Sequence, residues 1–343
     1  MVLVSDDSDV LQWNNFVRIS ENSTCYHQIG WKKVIEQSFG HKTFYLMAED
    51  GSSHVEGILP LVQLKSRLFG NFLLSLPYFN YGGACASSAE SLNTLLNDAK
   101  LLATEIDAKY IEFRHTVHLY EYLPVKTTKV ALRLTVPNDP ERLLKSFSAK
   151  LRSQIKRPEK EGMVARIGKL DELDSFYAVF SENMRDLGTP VYARSFFHHI
   201  FEAFPETTWI CTVRTKEGVP VASGFLVGFR ETLEIPWASS LKRYNSLSPN
   251  MLLYWSVLKF ASESGYHIFD FGRSTPGEGT YRFKEQWGAK PVQLYWQYWL
   301  RNGGMLPELN PKNPKYQLAI RIWKRLPLPL TRMFGPAIVK YLP

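Results

Sequence analysis

The sequence has little of what staples small secreted domains or crosses membranes. Its three cysteines, Cys25, Cys85 and Cys211, lie far apart. No two have metal-ligand or redox spacing, and an odd number excludes a fully paired disulfide framework. A reducing compartment fits. No stretch approaches the roughly 20 apolar residues that a transmembrane helix needs. The opening MVLVSDDSDVLQW is acidic and lacks the basic-then-apolar order of a signal peptide. These absences predict a cytoplasmic chain. No low-complexity segment is present. The pair His115 and His118, and the adjacent His198 and His199, have no partners at metal spacing, so no metal is expected.

What is present reads as globular. Hydrophobic residues make up 45% and charged residues 22%, a balance that supports a packed core. A length of 343 residues suits two domains of ordinary size. The net charge of +8 favours anionic partners: phosphates, nucleotides, tRNA or an acidic membrane surface. It does not choose among them. Aromatics, at 14%, fill cores or line a sugar or peptide groove.

A weak internal repeat carries more information. LLATEIDAKYIEFRHT, residues 101–116, and KFASESGYHIFDFGRS, residues 259–274, each read as the end of an apolar helix, a short turn and a buried strand. Glu112-Phe113 aligns with Asp270-Phe271, and the same offset aligns Ala103 with Ala261 and Glu105 with Glu263. Upstream elements match too. Strand signals fall at residues 43–48, 57–65 and 72–76 in the first half, and at 208–214, 221–229 and 232–238 in the second. Each set leads through a polar loop to a helix. The second helix has Ser248 as its expected N-cap and Pro249 in its first turn, and it is apolar nearly all round. Three strands, loop, helix, strand, given twice, predicts an α+β (α/β) chain of two similar domains, each a mixed sheet flanked by helices. The expected domains are 1–130 and 131–305, followed by a basic amphipathic tail, 306–343. After the seam, residues 140–157 read as one basic amphipathic helix ended by Pro158.

FDFGRS, residues 269–274, followed by GTYRFKEQWGA, residues 279–289, resembles the C-terminal signature of the FemAB-like family. LRSQIK, residues 151–156, and the following KEG, 160–162, resemble the same family's basic helix. The nearest likeness is to the FemAB-related proteins associated with PEP-CTERM and exosortase systems, and it spans about residues 31–299. The resemblance implies two tandem GNAT-like domains with the substrate in a cleft between or beside them. Characterised members move an aminoacyl group from aminoacyl-tRNA onto an amine of a peptidoglycan precursor. The exosortase-associated branch is linked instead to exopolysaccharide assembly. Ordinary acetyl-CoA enzymes carry a glycine-rich loop before the buried helix. Here residues 243–250 hold no glycine, although Arg243 and Asn250 flank a helix N-terminus that can still meet an anion.

Acyl transfer needs proton removal from the nucleophile, stabilisation of an oxyanion and positioning of both substrates. Lys284, between Phe283 and Glu285 of the signature, is the first catalytic candidate: strand alternation would bury Phe283 and turn Lys284 to the cleft. Asp270, closing a buried strand, either accepts a proton, orients Arg273 or forms a structural ion pair. Arg273, Tyr281 and Arg282 are candidates for binding phosphate or carboxylate. Tyr81, Gly82 and Gly83 lie where FemAB-like proteins meet the acceptor, and the glycines would admit a ligand or simply make a turn. Arg152 lies on the basic helix, which could dock tRNA or a pyrophosphate. The tail is basic and apolar. Leu318, Ile322 and Leu326 recur at helical spacing, and Pro327 and Pro329 are expected to end that helix, so the tail suits either a membrane surface or packing on the body.

The resulting expectation is an acyltransferase, aminoacyl or acetyl, acting on an amine or hydroxyl of a glycan, peptidoglycan or lipid-linked envelope precursor. It would take aminoacyl-tRNA or acyl-CoA as co-substrate and hold no cofactor tightly. It would be cytoplasmic, with peripheral contact at the membrane through the tail. A non-catalytic GNAT-like binding protein and a tRNA-binding module are the alternatives.

Overall fold

The computed structural model describes residues 2–67, 69–307 and 314–342, without the side chains of residues 314–316. In chain order come β1 (Val2–Leu3), α1 (Asp7–Ile19), α2 (Gly30–Phe39), β2 (Lys42–Glu49), β3 (Val55–Ser66), β4 (Gly70–Leu74), β5 (Cys85–Ala86), α3 (Ala89–Glu105), β6 (Tyr110–His115) and β7 (Val125–Lys126). There follow β8 (Val130–Thr135), α4 (Pro140–Ser146), α5 (Ala149–Lys160), β9 (Val164–Gly168), α6 (Leu173–Leu187), α7 (Arg194–Ala203), β10 (Thr208–Arg214), β11 (Pro220–Phe229) and β12 (Thr232–Ser240). The chain continues with α8 (Pro249–Glu263), β13 (Ile268–Ser274), α9 (Gly279–Glu285), β14 (Lys290–Gln293), β15 (Tyr295–Leu300), α10 (Pro314–Trp323) and α11 (Leu328–Val339).

Two compact units result: Met1–Lys129 with Gln293–Leu309 and Lys340–Pro343, and Val130–Val292 with Asn310–Val339. The first sheet runs β1-β2-β3-β4-β6-β15-β7, with β5 added on β3; the second runs β9-β10-β11-β12-β13-β8-β14. The two orders correspond strand for strand. In each, the strand after the buried helix pairs in parallel with the strand before it, β6 with β4 and β13 with β12, and antiparallel with β15 or β8 on its other side. The repeat seen in the sequence therefore has a topological counterpart.

Several expectations need correction. The sequence places residues 293–305 in the second domain, yet β15 pairs with β6 of the first sheet, while β8 pairs with β13 of the second. Each sheet takes its strand beside the central parallel pair from the far end of the other repeat. Residues 140–157 form two helices. Ser148 breaks the run and caps α5, accepting a hydrogen bond from the Leu151 amide, and Pro158 lies inside the last turn of α5. Ser248 does not cap α8 with its side chain. It sits at φ +56° with no cap bond, and Pro249 opens the helix as expected. In the tail, Pro327 separates α10 from α11, but Pro329 lies in the first turn of α11, where its missing N–H costs nothing. Residues 308–313 of the expected tail lie outside the described residues.

The cores follow from alternation. In the second unit Leu132, Leu233, Ile235, Phe269 and Phe271 turn one sheet face onto α8, whose Leu253, Val257 and Leu258 are fully buried. In the first, Leu59, Leu61, Leu73, Ile111 and Phe113 pack under α3, through Leu95, Leu96 and Ala99. The three cysteines are buried and unpaired with one another. Among the described residues no helix is long and apolar enough to cross a membrane.

Candidate active site

Strand alternation that buries Leu233, Ile235, Phe269 and Phe271 on one face leaves Glu234 and Asp270 on the other. The parallel register sets Glu234 beside Asp270, and the antiparallel register sets Asp270 beside Arg133, so three charged side chains stand in a row across β12, β13 and β8. Asp270 is fully buried and Glu234 nearly so, whereas Arg133 is partly open to solvent. Burial of carboxylates demands partners. Asp270 Oδ2 accepts from Arg133 Nε at 2.8 Å, and its Oδ1 accepts from the Gly272 amide at 2.7 Å. The ladder is interrupted between Asp270 and Arg273, and Gly272 takes φ +72° at the irregularity. That conformation favours glycine, which accounts for the Gly of FDFGRS.

Lys284 joins this group from a different direction than expected. Residues 279–285 form α9, not a strand, and helical spacing buries Lys284 while Phe283 is only half-buried. Its Nζ donates to the carbonyl oxygens of Gly272 at 3.1 Å and Arg273 at 3.0 Å. Burial pushes the ammonium down to about 8, partly offset by the negative charges of Asp270 and Glu234. The result is a buried cation beside two buried carboxylates. Asp270 thus makes an ion pair with Arg133, one of the roles the sequence left open. Arg273 and Arg282 are exposed and Tyr281 is half-buried.

An open cavity of about 490 Å³ lies at the start of α8. Its polar lining includes Lys242, Ser248, Asn250, Gln154, Asn183 and Asp186. Asn250 opens into that cavity from the first turn of α8. Arg243 is not in that lining: its guanidinium pairs with Glu182. Lys242 takes the place assigned to Arg243. Arg152 is also differently employed. Its Nη1 donates to the carbonyls of Phe147 and Lys145, closing the end of α4, which makes it a structural group.

In the first unit a cavity of about 360 Å³ is lined by Tyr81, Gly82, Gly83, Arg114, His115 and the first residues of α3, among others. The glycines do not offer free amides there. Gly82 and Gly83 N–H both donate to the Arg114 carbonyl, at 3.1 and 2.8 Å. Gly82 has φ +126°, and a Cβ on Gly83 would stand 2.1 Å from His115 Cδ2. A side chain on Gly83 is excluded by the fold itself. Two neutral imidazoles hold the loop. His27 accepts from the Thr24 amide at Nδ1, so its Nε2–H donates to Gly83 O at 2.8 Å. His115 accepts from the Ala84 amide at Nε2, so its Nδ1–H donates to Gln297 Oε1. Burial holds His27 down to about 4 and His115 to about 3. Glu112 accepts from Arg114 Nε at 2.7 Å and from the Tyr298 hydroxyl at 2.9 Å, and Arg114 lies 4.3 Å over the Trp296 ring.

Sequence reasoning missed Glu234, Arg133 and Lys242. An acid between Leu233 and Ile235 in an apolar strand is a visible signal for Glu234. Nothing local marks Arg133, whose role depends on a strand pairing distant in sequence.

Residues 145–285, less than half of the chain, match the Acetyltransferase (GNAT) domain family. No curated protein matches the chain. Among solved structures, FemX is 16% identical, with a TM-score of 0.64 over 93% of this chain and 100% of its own. The C-terminal domain of a putative lysylphosphatidylglycerol synthetase from Agrobacterium fabrum is 13% identical, with a TM-score of 0.58 over 87% of this chain and 93% of its own. A tandem GNAT protein from the clavulanic acid biosynthesis pathway is 12% identical, with a TM-score of 0.57 over 89% of this chain and 99% of its own. At such identities the likeness is one of fold: the chain has the architecture of tandem GNAT proteins, and its residues 145–285 carry a GNAT-type acetyltransferase domain.

Proposed function

We propose that the chain is an acyltransferase that moves an aminoacyl or acetyl group onto an amine or hydroxyl of a cell-envelope glycan, peptidoglycan or lipid-linked precursor. The observation that carries this reading is Lys284, a buried cation with a depressed pKa beside Glu234 and Asp270 on one sheet face. A buried cation gathered with buried carboxylates suits general acid–base and electrostatic work. Lys284 would stabilise the oxyanion of the tetrahedral intermediate. Glu234, beside Asp270 in the parallel register, would take the proton of the attacking group. Asp270, already committed to Arg133 and Gly272, keeps the arrangement rigid.

The cavity at the start of α8 would receive the anionic end of the donor, through Lys242, Asn250 and the positive end of the helix. GNAT proteins take acyl-CoA as co-substrate, whereas the FemAB-like signature favours aminoacyl-tRNA. A turn without glycine before α8 supports the second donor, since it wraps a pyrophosphate poorly. The cavity beside Tyr81 and Arg114 would take part of the acceptor. Exosortase-linked exopolysaccharide assembly is a setting suggested by the resemblance alone.

The test is transfer of label from aminoacyl-tRNA, and separately from acetyl-CoA, to envelope precursors, with products identified by mass spectrometry. Labelled product from either donor supports the reading. Saturable, salt-sensitive binding of tRNA or precursor without product from either donor would favour a binding protein.

A further inference from the structure

The C-terminal helices leave an apolar surface uncovered. α11 packs on α6 through one side: Thr331 and Val339 are buried, a Cβ on Gly335 would meet the Val191 backbone, and Arg332 Nε donates to Ser181 Oγ at 2.9 Å. Helical spacing turns Leu330, Met333 and Phe334 away from that side, with Ile338 at its edge. Met333 is 60% and Phe334 49% exposed, and on α10 Leu318 and Ile322 are 57% and 54% exposed. Large apolar side chains left exposed on two consecutive helices mark an interaction site more often than an accident of composition.

The charges around them identify the partner. Residues 314–342 contain no Asp or Glu, while Arg321, Lys324 and Arg325 are exposed on α10 and just after it. Apolar side chains interleaved with cations alone match a surface that is hydrocarbon beneath and anionic above. With no helix among the described residues able to span a bilayer, the fit is to the surface.

We infer that α10 and α11 form a docking surface for a bilayer rich in anionic lipid, with Met333 and Phe334 inserted at the acyl boundary and Arg321, Lys324 and Arg325 among the headgroups. This would bring the enzyme to a lipid-linked acceptor, but the docking does not depend on the transfer reaction.

The test is co-sedimentation of the full chain with vesicles of phosphatidylglycerol and phosphatidylcholine, against phosphatidylcholine alone, at low and high salt. Removing the tail would strip packing from α6, so exposed point variants are preferable. The expected result is sedimentation with anionic vesicles only, weakened by salt. Binding should fall about tenfold or more in Met333→Ser/Phe334→Ser and in Arg321→Gln/Lys324→Gln/Arg325→Gln, with melting temperatures unchanged. Equal sedimentation of wild type and the Met333→Ser/Phe334→Ser variant overturns the inference, as does equal sedimentation, or none, with both vesicle types. So does concentration-dependent dimerisation that this variant abolishes, which would make a second copy the occupant. No acyl donor is present in the assay, so its failure and a failure of transfer are read separately.

Discussion

Glu112 and Asp270 occupy the same place in two sheets. Each lies on the strand that follows the buried helix, with a parallel neighbour at Leu74 or Glu234 and an antiparallel neighbour at Tyr298 or Arg133. The first unit answers its acid with Arg114 and a tyrosine hydroxyl, the second with Arg133 and a backbone amide. Only the second adds a further carboxylate, Glu234, and the buried Lys284. The repeat is shared; the cluster of buried charges is not.

The Asp270–Arg133 pair should be stabilising as a unit. Asp270→Ala leaves Arg133 and the Gly272 amide without their acceptor, at a cost of about 2–4 kcal/mol, tempered by the partial exposure of Arg133. Urea denaturation of Asp270→Ala, Arg133→Ala and the double variant should give changes well short of additive. Full additivity would mean that the contact contributes nothing.

Gly83→Ala should destabilise the first unit. The new methyl has to displace His115 or the Arg114 carbonyl, an overpacking that costs about 1–3 kcal/mol. A melting temperature equal to wild type would show that the loop moves freely.

His27 and His115 predict an acid limb in stability. Well above about pH 6.5 neither ring is protonated in either state, so they contribute no pH dependence there. Below it, the unfolded chain takes up protons that the folded chain refuses until about pH 4 for His27 and about 3 for His115. Stability therefore falls as pH drops, by up to about 1.4 kcal/mol per pH unit per ring. His115→Gln should show a shallower decline in urea midpoint against pH. An unchanged slope would remove His115 from the account.

Much of the fold was legible because it rests on local pattern. Strands β2, β3, β10, β11 and β12 announce themselves through apolar runs bounded by turns, and α8 through Pro249 at its start and the long apolar run behind it. The exchange of β8 and β15 was not legible, since strand partners far apart in sequence leave no local trace. Lys284 was singled out by its motif but expected on a strand, and it lies on α9. GTYRFKE, with Thr, Tyr and Phe, reads as extended, and in so short a segment tertiary packing overrides propensity. An outward Lys284 would make Lys284→Ala neutral for stability. The buried one, bonded to two carbonyls, predicts a lowered melting temperature.

If the Lys284 cation stabilises an oxyanion, transfer should fall as pH rises through about 8, where the ammonium loses its proton. Activity that rises through the same range would assign Lys284 the role of base.

The most direct measurement is single-turnover transfer by wild type and by Lys284→Met, which keeps the side-chain volume and removes the charge. With the donor that supports transfer, and with circular dichroism showing the variant folded at the assay temperature, the rate should fall about 100-fold or more, the loss typical of removing one oxyanion donor. A folded Lys284→Met that transfers at the wild-type rate would contradict the placement of the chemistry in this cluster.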